Sequence, residues 1–329
     1  MRDIALGPGR RAAVLGGAAA LAWAGAARAQ AGYPGGRTVS LILPYAPGGG
    51  TDVVARILGD GLTERFGGTF VSEHRPGATT TLAARHVARA RPDGTTLLIG
   101  TNSTFTQAPF AFRSLGYDPE ADFAHISLLC ESAYLLVARP RWDSLAAALA
   151  AARREPGRLS YASWGVGSTA HLLMLDLLGR TGTEMLHVPF NGPAPGLTET
   201  LTGRVDLMFS TFAPAKPHVE AGRLRALGTP HESRLALMPE VPTLIEQGQP
   251  GFVVSAWWSL SAPAGTPAPL LAALGEATPA AFTKPAAREM MDRLGLLPAP
   301  FGPAPMRARI ARDLAANGDL MRRAGIVPE

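Results

Sequence analysis

The chain has 329 residues, of which 47% are apolar and 17% are charged, and its formal net charge at neutral pH is +5. This length suffices for one large or two medium domains, and the lack of a basic run interleaved with aromatic residues argues against nucleic-acid binding. The single cysteine, Cys130, excludes an internal disulfide, and its apolar neighbours predict a buried thiol.

The first 29 residues have the three parts of a secretory signal peptide. Arg10 and Arg11 precede an apolar and glycine-containing run over 12–27, and Ala27-Arg28-Ala29 is a small-x-small cleavage site. The run is shorter than the roughly 20 residues that a membrane anchor needs. We therefore expect an exported, periplasmic protein, and the paired arginines leave the route, Sec or twin-arginine, open. Residues 1–29 carry four arginines and one aspartate, which leaves about +2 for the rest.

Strands and helices are predicted to alternate from residue 38 onward. The segment TVSLILPYA predicts a strand, and apolar residues at spacings of three and four predict a helix over 51–66. A strand over 69–76, a helix over 79–91 and a strand over 95–101 follow. This order with short links predicts a parallel α/β unit.

The same order restarts further along the chain, with helices and strands alternating from 143 to 211. The apolar segments 126–139 and 253–263 are predicted to be strands that cross between the two units. Three helices after Pro267 are expected to pack back on the first unit. The sequence therefore predicts an α/β protein of two lobes joined by crossing strands, with a ligand cleft between them.

Three consecutive glycines, Gly48, Gly49 and Gly50, lie where the first strand gives way to the first helix. Open α/β sheets bind ligands at the carboxyl ends of their strands, and a helix N-terminus offers unpaired N–H groups at the positive end of its dipole. The loop matches neither the P-loop nor the GxGxxG pattern. It fits either a cradle for a small anion or an ordinary tight turn.

The second unit repeats this arrangement in YASWGVGSTAHL, where a strand, a Gly-x-Gly loop and a helix follow one another. One such loop from each unit would close on a single small anion. Because neither loop contains Lys or Arg, a carboxylate held by neutral donors is favoured over a phosphate. Ser168 and Thr169 fit a helix-capping role equally well.

Other side chains leave alternatives open. His171 follows Ser168 by three residues, so a Ser–His nucleophilic pair is conceivable, although the sequence shows neither a G-x-S-x-G elbow nor a carboxylate to orient the histidine. Trp257 and Trp258 fit a cleft wall or core packing. The seven histidines lack metal-ligand spacing, so no metal or cofactor is expected.

Several longer motifs occur in order: PYAPGGGTDVVAR, PDGTTLLIGT, YDPEADFAHISLL, PGRLSYASWGVGSTAHL, HVPFNGPAPGLTETLTGRVDLMF and PEVPTLIEQG. Together they resemble the Bug family of extracytoplasmic solute receptors, the TctC-like binding components of tripartite tricarboxylate transporters. The resemblance runs from about Tyr33 to the C-terminus.

The resemblance implies a two-lobed periplasmic-binding-protein (Venus-flytrap) fold, with lobe 1 formed by 30–131 plus 257–329 and lobe 2 by 132–256. It implies a monomeric receptor, not an enzyme, that passes a small carboxylate to the membrane subunits of such a transporter or, in some members, signals to a membrane sensor. An exported hydrolase using Ser168 and His171 is the remaining alternative. The implied ligand contacts are Tyr45, Ala46, Gly48, Gly49, Gly50, Asp52, Thr101, Asn102, Ser163, Trp164, Gly167, Ser168, Thr169, His171, Phe190 and Asp206.

Four places near the expected cleft depart from the family pattern. Thr79 and Thr80 stand where the family's RPGAGG has glycines, and Ser210 stands where it often has Asp. Trp164 replaces a small residue, and Val166 replaces a residue that is often polar. The last two prompt the hypothesis that the ligand is a carboxylate with an aromatic or apolar tail.

Overall fold

The computed structural model describes residues 32–323 and the single positions 326 and 328. The predicted signal peptide and its cleavage site lie outside these residues. Among the described helices, none is long and apolar enough to cross a membrane. In the same part of the chain, no three His, Cys, Asp or Glu side chains come together as a metal site would require.

The first sheet gathers the N-terminal strands around a returning strand. Strands β1 (Thr38–Leu43), β2 (Thr69–His74) and β3 (Thr96–Thr101) run parallel in the order β2-β1-β3, connected by helices α1 (Gly50–Phe66) and α2 (Thr81–Ala88). A π-helical turn (Ser103–Gln107) and the short α3 (Ala108–Ala111) follow β3, and precede the long β4 (Phe123–Ala138). The predicted parallel α/β unit is confirmed.

The second sheet repeats the pattern. Helices α4 (Leu145–Arg154), α5 (Thr169–Thr181), α6 (Pro193–Thr202) and α7 (Phe212–Glu220) alternate with strands β5 (Ser160–Ser163), β6 (Leu186–Pro189), β7 (Leu207–Thr211) and β8 (Arg225–Gly228). Strands β7, β5 and β6 are parallel neighbours in that order, while β7 and β8 each pair antiparallel with β4.

Strand β4 belongs to both sheets. Its first part pairs with β9 (Ser255–Pro263) as far as Ala133, and the next residue, Tyr134, already pairs with Thr211 of β7. The chain therefore passes from one sheet to the other without a break in β4, and β9 brings it back beside β3. Two α/β lobes joined in this way confirm the predicted fold class, while the exact residue boundaries of the lobes stay a prediction.

The C-terminal helices return to the first lobe, as predicted. Helix α8 (Ala268–Thr283) lies on α1 so closely that a Cβ on Gly61 would stand 2.3 Å from the Cβ of Ala281. Helix α9 (Pro285–Arg293) leads to the short β10 (Leu296–Pro298), which pairs with β4, and α10 (Pro303–Arg323) packs on β4. Cys130 is fully buried in β4, and burial raises the pKa of its thiol.

Candidate functional site

A small enclosed space, which we call the inner cavity, lies where the two lobes meet. Its volume is about 20 Å³, room for little more than one water. It sits at the carboxyl ends of β3 and β7 and at the N-terminal ends of helices from both lobes, where open α/β sheets bind their ligands. The lining residues are Tyr45, Gly50, Thr51, Thr101, Asn102, Tyr134, Trp164, Thr169, Pro193, Thr211, Ala256, Trp257 and Trp258.

The triple glycine shapes the wall from the first lobe. Gly48 has a φ of +97°, which favours glycine, and α1 begins at Gly50. A Cβ on Gly50 would stand 3.1 Å from the Trp258 indole, so the backbone packs closely against this ring and a larger residue would have to displace it slightly. Asp52 turns away from the cavity, because its carboxylate accepts from Gly49 N–H at 3.1 Å and pairs with His74 at 3.2 Å.

The second lobe contributes the N-terminal ends of three helices. Helix α5 begins at Thr169, α6 at Pro193 and α7 directly after Thr211, and all three of these residues line the inner cavity. Thr169 Oγ1 also reaches across to the first lobe and donates to Gln107 Oε1 at 2.8 Å. Together with α1, four helices point their N-terminal ends at this one small space, and each of these helices has at least nine residues.

Two buried hydroxyls next to this space have no hydrogen-bond partner within the part of the chain that the structure describes. Ser168 Oγ precedes α5 and Thr211 Oγ1 precedes α7, yet neither caps its helix. Buried polar atoms are nearly always paired, so these two are available to a bound molecule. The phenol of Tyr45, whose pKa is raised by burial, stays protonated.

The electrostatics of the inner cavity come from dipoles alone. None of its lining residues carries a formal charge. Helix N-termini favour negative charge, and converging N–H and hydroxyl groups supply the hydrogen bonds that a desolvated anion needs. The arrangement suits one small anion of delocalised charge, such as a carboxylate.

Trp164 fills the space between the lobes. Its ring stacks on Tyr134 with centroids 6.1 Å apart and meets the Tyr45 ring edge-on at 6.3 Å, while its Nε1 donates to Ser103 Oγ at 3.3 Å. The side chain is only 4% exposed, and it lies between the end of β5 and the Gly-x-Gly loop. Trp257 and Trp258 line the same cavity from β9.

Six of the predicted contact residues come together around the inner cavity, and ten do not. Tyr45, Gly50, Thr101, Asn102, Trp164 and Thr169 line it. The other ten are Ala46, Gly48, Gly49, Asp52, Ser163, Gly167, Ser168, His171, Phe190 and Asp206. Most of these shape the loops behind the wall; for example, Ala46 N–H donates across the lobes to the Asn191 carbonyl at 3.1 Å.

Asp206 lies away from the inner cavity, at the other end of β5 and β7. Its carboxylate accepts from Ser160 N–H at 2.9 Å and pairs with Arg141. Ser160 opens β5 and Leu207 opens β7, whereas the cavity lies at the opposite ends of these strands. The position of Asp206 fits a structural role at the start of these strands, which was one of the two roles open from the sequence. It does not fit contact with a molecule in the inner cavity.

The proposed Ser168–His171 pair is not formed. His171 Nδ1 instead accepts from Gly167 N–H at 3.0 Å, and its ring stacks on His187 with centroids 3.9 Å apart. His187 Nε2 lies 2.6 Å from Ser163 Oγ, and no carboxylate orients it among the described hydrogen bonds. Burial lowers the pKa of His171 to about 3 and that of His187 to about 4, so both rings are neutral near pH 7.

Sequence reasoning missed several lining residues as ligand contacts, notably Thr51, Tyr134, Pro193 and Thr211. Thr211 carried a usable signal, because a strand, a hydroxyl residue and a helix follow one another there as they do at Thr169. Tyr134 lies inside a long apolar strand and had no local signal.

Comparisons with known proteins agree with this architecture. The sequence profile described as "Tripartite tricarboxylate transporter family receptor" matches residues 54–325. Protein BugT of Bordetella pertussis is 32% identical over 300 residues, which are 89% of this chain and 90% of BugT.

Two solved structures show the same fold. The R. palustris protein Rpa4515 with adipate has a TM-score of 0.85 and 31% identity, over 89% of this chain and 99% of that one. MatC from Rhodopseudomonas palustris with bound malate has a TM-score of 0.82 and 33% identity, over 86% and 98%.

Two α/β lobes that meet over an uncharged, donor-rich cavity define a periplasmic solute-binding protein. The chain belongs to the tripartite tricarboxylate transporter receptor family, of the Bug and TctC type. These proteins are receptors, so the prediction that the chain is not an enzyme is confirmed and the hydrolase alternative is wrong.

Proposed function

We propose that this protein captures a small carboxylate between its lobes and delivers it to a tripartite tricarboxylate-type transporter. The observation that supports the ligand class most directly is the inner cavity, where four helix N-termini and the unpartnered Thr211 hydroxyl converge without one charged lining residue. The adipate and malate in the names of two similar structures support the same class.

The carboxylate is proposed to accept from the backbone amides at the start of α1 and α5 and from nearby hydroxyls. The residues proposed for contact are those predicted from the sequence that line the cavity, joined by Thr51 and Thr211. The loop residues behind them, such as Gly48 and Asp52, hold the amides in place.

Thr211→Val separates binding from folding. Thr211 Oγ1 has no partner in the ligand-free protein, so we expect the free energy of unfolding to stay equal or rise by up to about 1 kcal/mol. Carboxylate affinity should fall at least about tenfold, since a hydrogen bond to a charged group is worth about 1.5–3 kcal/mol. Calorimetric titration with adipate and malate measures the second effect.

Ser259→Ala is the matched control, because Ser259 Oγ is also buried and unpartnered but does not line the inner cavity. It should keep the affinity of the unmodified protein. Equal affinity in Thr211→Val would argue against a carboxylate at this site, and no binding of any carboxylate by the unmodified protein would refute the proposed function.

Delivery is tested separately with the transporter's membrane subunits in lipid nanodiscs. We expect the receptor to bind them more tightly with carboxylate present than without. Binding to a sensor ectodomain in place of these subunits would redirect the proposal from transport to signalling.

A further inference from the structure

A second, larger space adjoins the inner cavity, and we call it the outer groove. Its volume is about 350 Å³, against about 20 Å³ for the inner cavity. Both spaces are lined by Tyr45 and Trp164, so these two rings form their common wall. The other residues that line the outer groove are Pro44, Gly77, Ala78, Thr79, Thr80, Phe112, Gly165, Val166, Pro189, Phe190 and Asn191.

The two volumes assign different parts of a ligand to the two spaces. The inner cavity accommodates little more than one water-sized group, which suits a carboxylate head and excludes the rest of any larger molecule. The outer groove has the volume of an ordinary small-molecule pocket. For a ligand whose head lies among the helix N-termini, the outer groove on the other side of Tyr45 and Trp164 offers space for the remaining atoms.

The chemistry of the outer groove argues against a second carboxylate there. Its lining residues include no Lys, Arg or His, and its polar side chains are Thr79, whose hydroxyl already donates to the Val166 carbonyl at 2.7 Å, Thr80 and Asn191. A second carboxylate would therefore lose its water here without a cation and without the helix N-termini of the inner cavity. Trp164, Val166, Phe112 and Phe190 instead offer rings and a methyl surface. Aromatic side chains favour stacked or edge-on contacts with another ring.

We propose that the ligand is a monocarboxylate with an apolar, preferably aromatic, tail. Its carboxylate occupies the inner cavity, and its tail lies in the outer groove, beside Trp164, Val166, Phe112 and Phe190. This inference rests on the proposed function and adds the chemical class of the ligand's tail.

The test compares four probes by calorimetric titration: phenylpropanoate, its alcohol phenylpropanol, the dicarboxylate adipate, and malate. We expect the unmodified protein to bind phenylpropanoate at least about tenfold more tightly than adipate. Phenylpropanol should bind far more weakly than phenylpropanoate, because it lacks the charge that the helix N-termini favour.

Two variants test the tail site. In Trp164→Ala, and independently in Phe190→Ala, the ratio of phenylpropanoate to adipate affinity should fall at least about threefold. Phe190 is only half-buried at the rim, so its variant stays informative if Trp164→Ala folds poorly. Trp142→Ala should keep the original ratio, since Trp142 lines neither space and its ring lies under Arg141.

Adipate bound as tightly as phenylpropanoate would overturn the inference on the tail and leave the carboxylate receptor intact. Failure of all three carboxylates to bind would overturn both the inference and the proposed function. An unchanged affinity ratio in both variants would show that the outer groove does not hold the tail.

Discussion

Three consecutive non-glycine residues that line the outer groove have left-handed backbone angles. Ala78, Thr79 and Thr80 have φ of +44°, +46° and +77°. Such angles cost roughly 1–2 kcal/mol for a residue with a Cβ, and β-branched residues rarely adopt them. The Thr80 hydroxyl is also buried without a partner. Strain is therefore concentrated in a loop whose family pattern has glycines at 79 and 80.

Thr80→Gly should raise the free energy of unfolding by about 1 kcal/mol, because relief of the left-handed angle and of the unpaired hydroxyl outweighs the lost methyl contacts. Thr81→Gly is the control. Thr81 is equally buried and also unpartnered, but its φ is −66°, so we expect a loss of about 1–2 kcal/mol. Urea unfolding of both variants measures the difference, and equal losses would show that Thr80 is not strained.

At this scale, the sequence identified residues whose role is local. The glycine run and the Gly-x-Gly loop could be predicted because tight strand-to-helix loops are rich in glycine and are followed directly by the apolar pattern of a helix. The family pattern marked Thr79 and Thr80 as unusual but did not give their left-handed backbone angles. The contact of Trp164 with Tyr134 joins residues far apart in the chain, so no local pattern predicted it.

At the scale of elements, one buried arginine ties α10 to both crossing strands. Arg309 donates to Glu131 of β4 at 2.6 Å, to Ser255 of β9 at 2.8 Å and to Asp313 of its own helix at 2.8 Å. Its side chain is 8% exposed. Asp313 in turn accepts from Trp257 Nε1 at 2.8 Å. The network fixes α10 against the strands where the chain passes between lobes.

Arg309→Ala should lower the free energy of unfolding by about 3 kcal/mol, since the carboxylates of Glu131 and Asp313, which are 29% and 15% exposed, lose their buried cationic partner. Arg312→Ala is the matched control on the same helix. Arg312 pairs only with Asp313 among the described ion pairs and its side chain is 68% exposed, so its loss should stay within about 0.5 kcal/mol. Thermal and urea unfolding distinguish the two, and similar losses would contradict a stabilising network at Arg309.

The stacked histidines link α5 to β6 and make stability depend on pH. Burial lowers the pKa of His171 to about 3, with the neighbouring His187 contributing, and that of His187 to about 4. The unfolded chain binds these protons near pH 6.5. Because the folded state binds them only at lower pH, the stability is complete above about pH 6.5 and is lost as pH falls towards 4 and below.

His171→Asn keeps an acceptor for Gly167 N–H but removes one titrating ring. Between pH 7 and pH 5 we expect this variant to lose at least about 1 kcal/mol less unfolding free energy than the unmodified protein. His231→Asn, outside the stack, controls for the loss of any histidine. Urea unfolding at the two pH values gives the comparison, and identical losses in His171→Asn would refute the assignment.

Elements with clear apolar periodicity, such as α1 and α5, were predictable from the sequence. The π-helical turn over Ser103–Gln107 was not, because its residues are mostly polar and yet all buried. They are buried by partners from far along the chain; for example, Thr106 accepts from Asn317 of α10. Because tertiary contacts bury these polar residues, the sequence of the turn has no hydrophobic periodicity from which its structure could be predicted.

At the scale of the whole molecule, the two lobes touch directly across the cleft. Thr79 Oγ1 donates to the Val166 carbonyl at 2.7 Å, Thr169 to Gln107 at 2.8 Å, and Trp164 to Ser103 at 3.3 Å. With these contacts made and only about 20 Å³ left in the inner cavity, this is a closed arrangement. A ligand must therefore enter while the lobes are apart, and the closed form's stability sets part of the affinity.

Thr79→Val tests this coupling, since valine keeps the branched shape and removes only the hydroxyl that bonds to Val166. One neutral hydrogen bond is worth about 1 kcal/mol, so carboxylate affinity should fall about fivefold, and the radius of gyration from X-ray scattering should rise in the ligand-free protein. Thr80→Val is the control, because the Thr80 hydroxyl has no partner to lose. If both variants bind alike, the contact between Thr79 and Val166 does not help to hold the lobes together. If only Thr79→Val binds the carboxylate more weakly and has a larger radius of gyration, closure of the lobes is thermodynamically coupled to ligand binding.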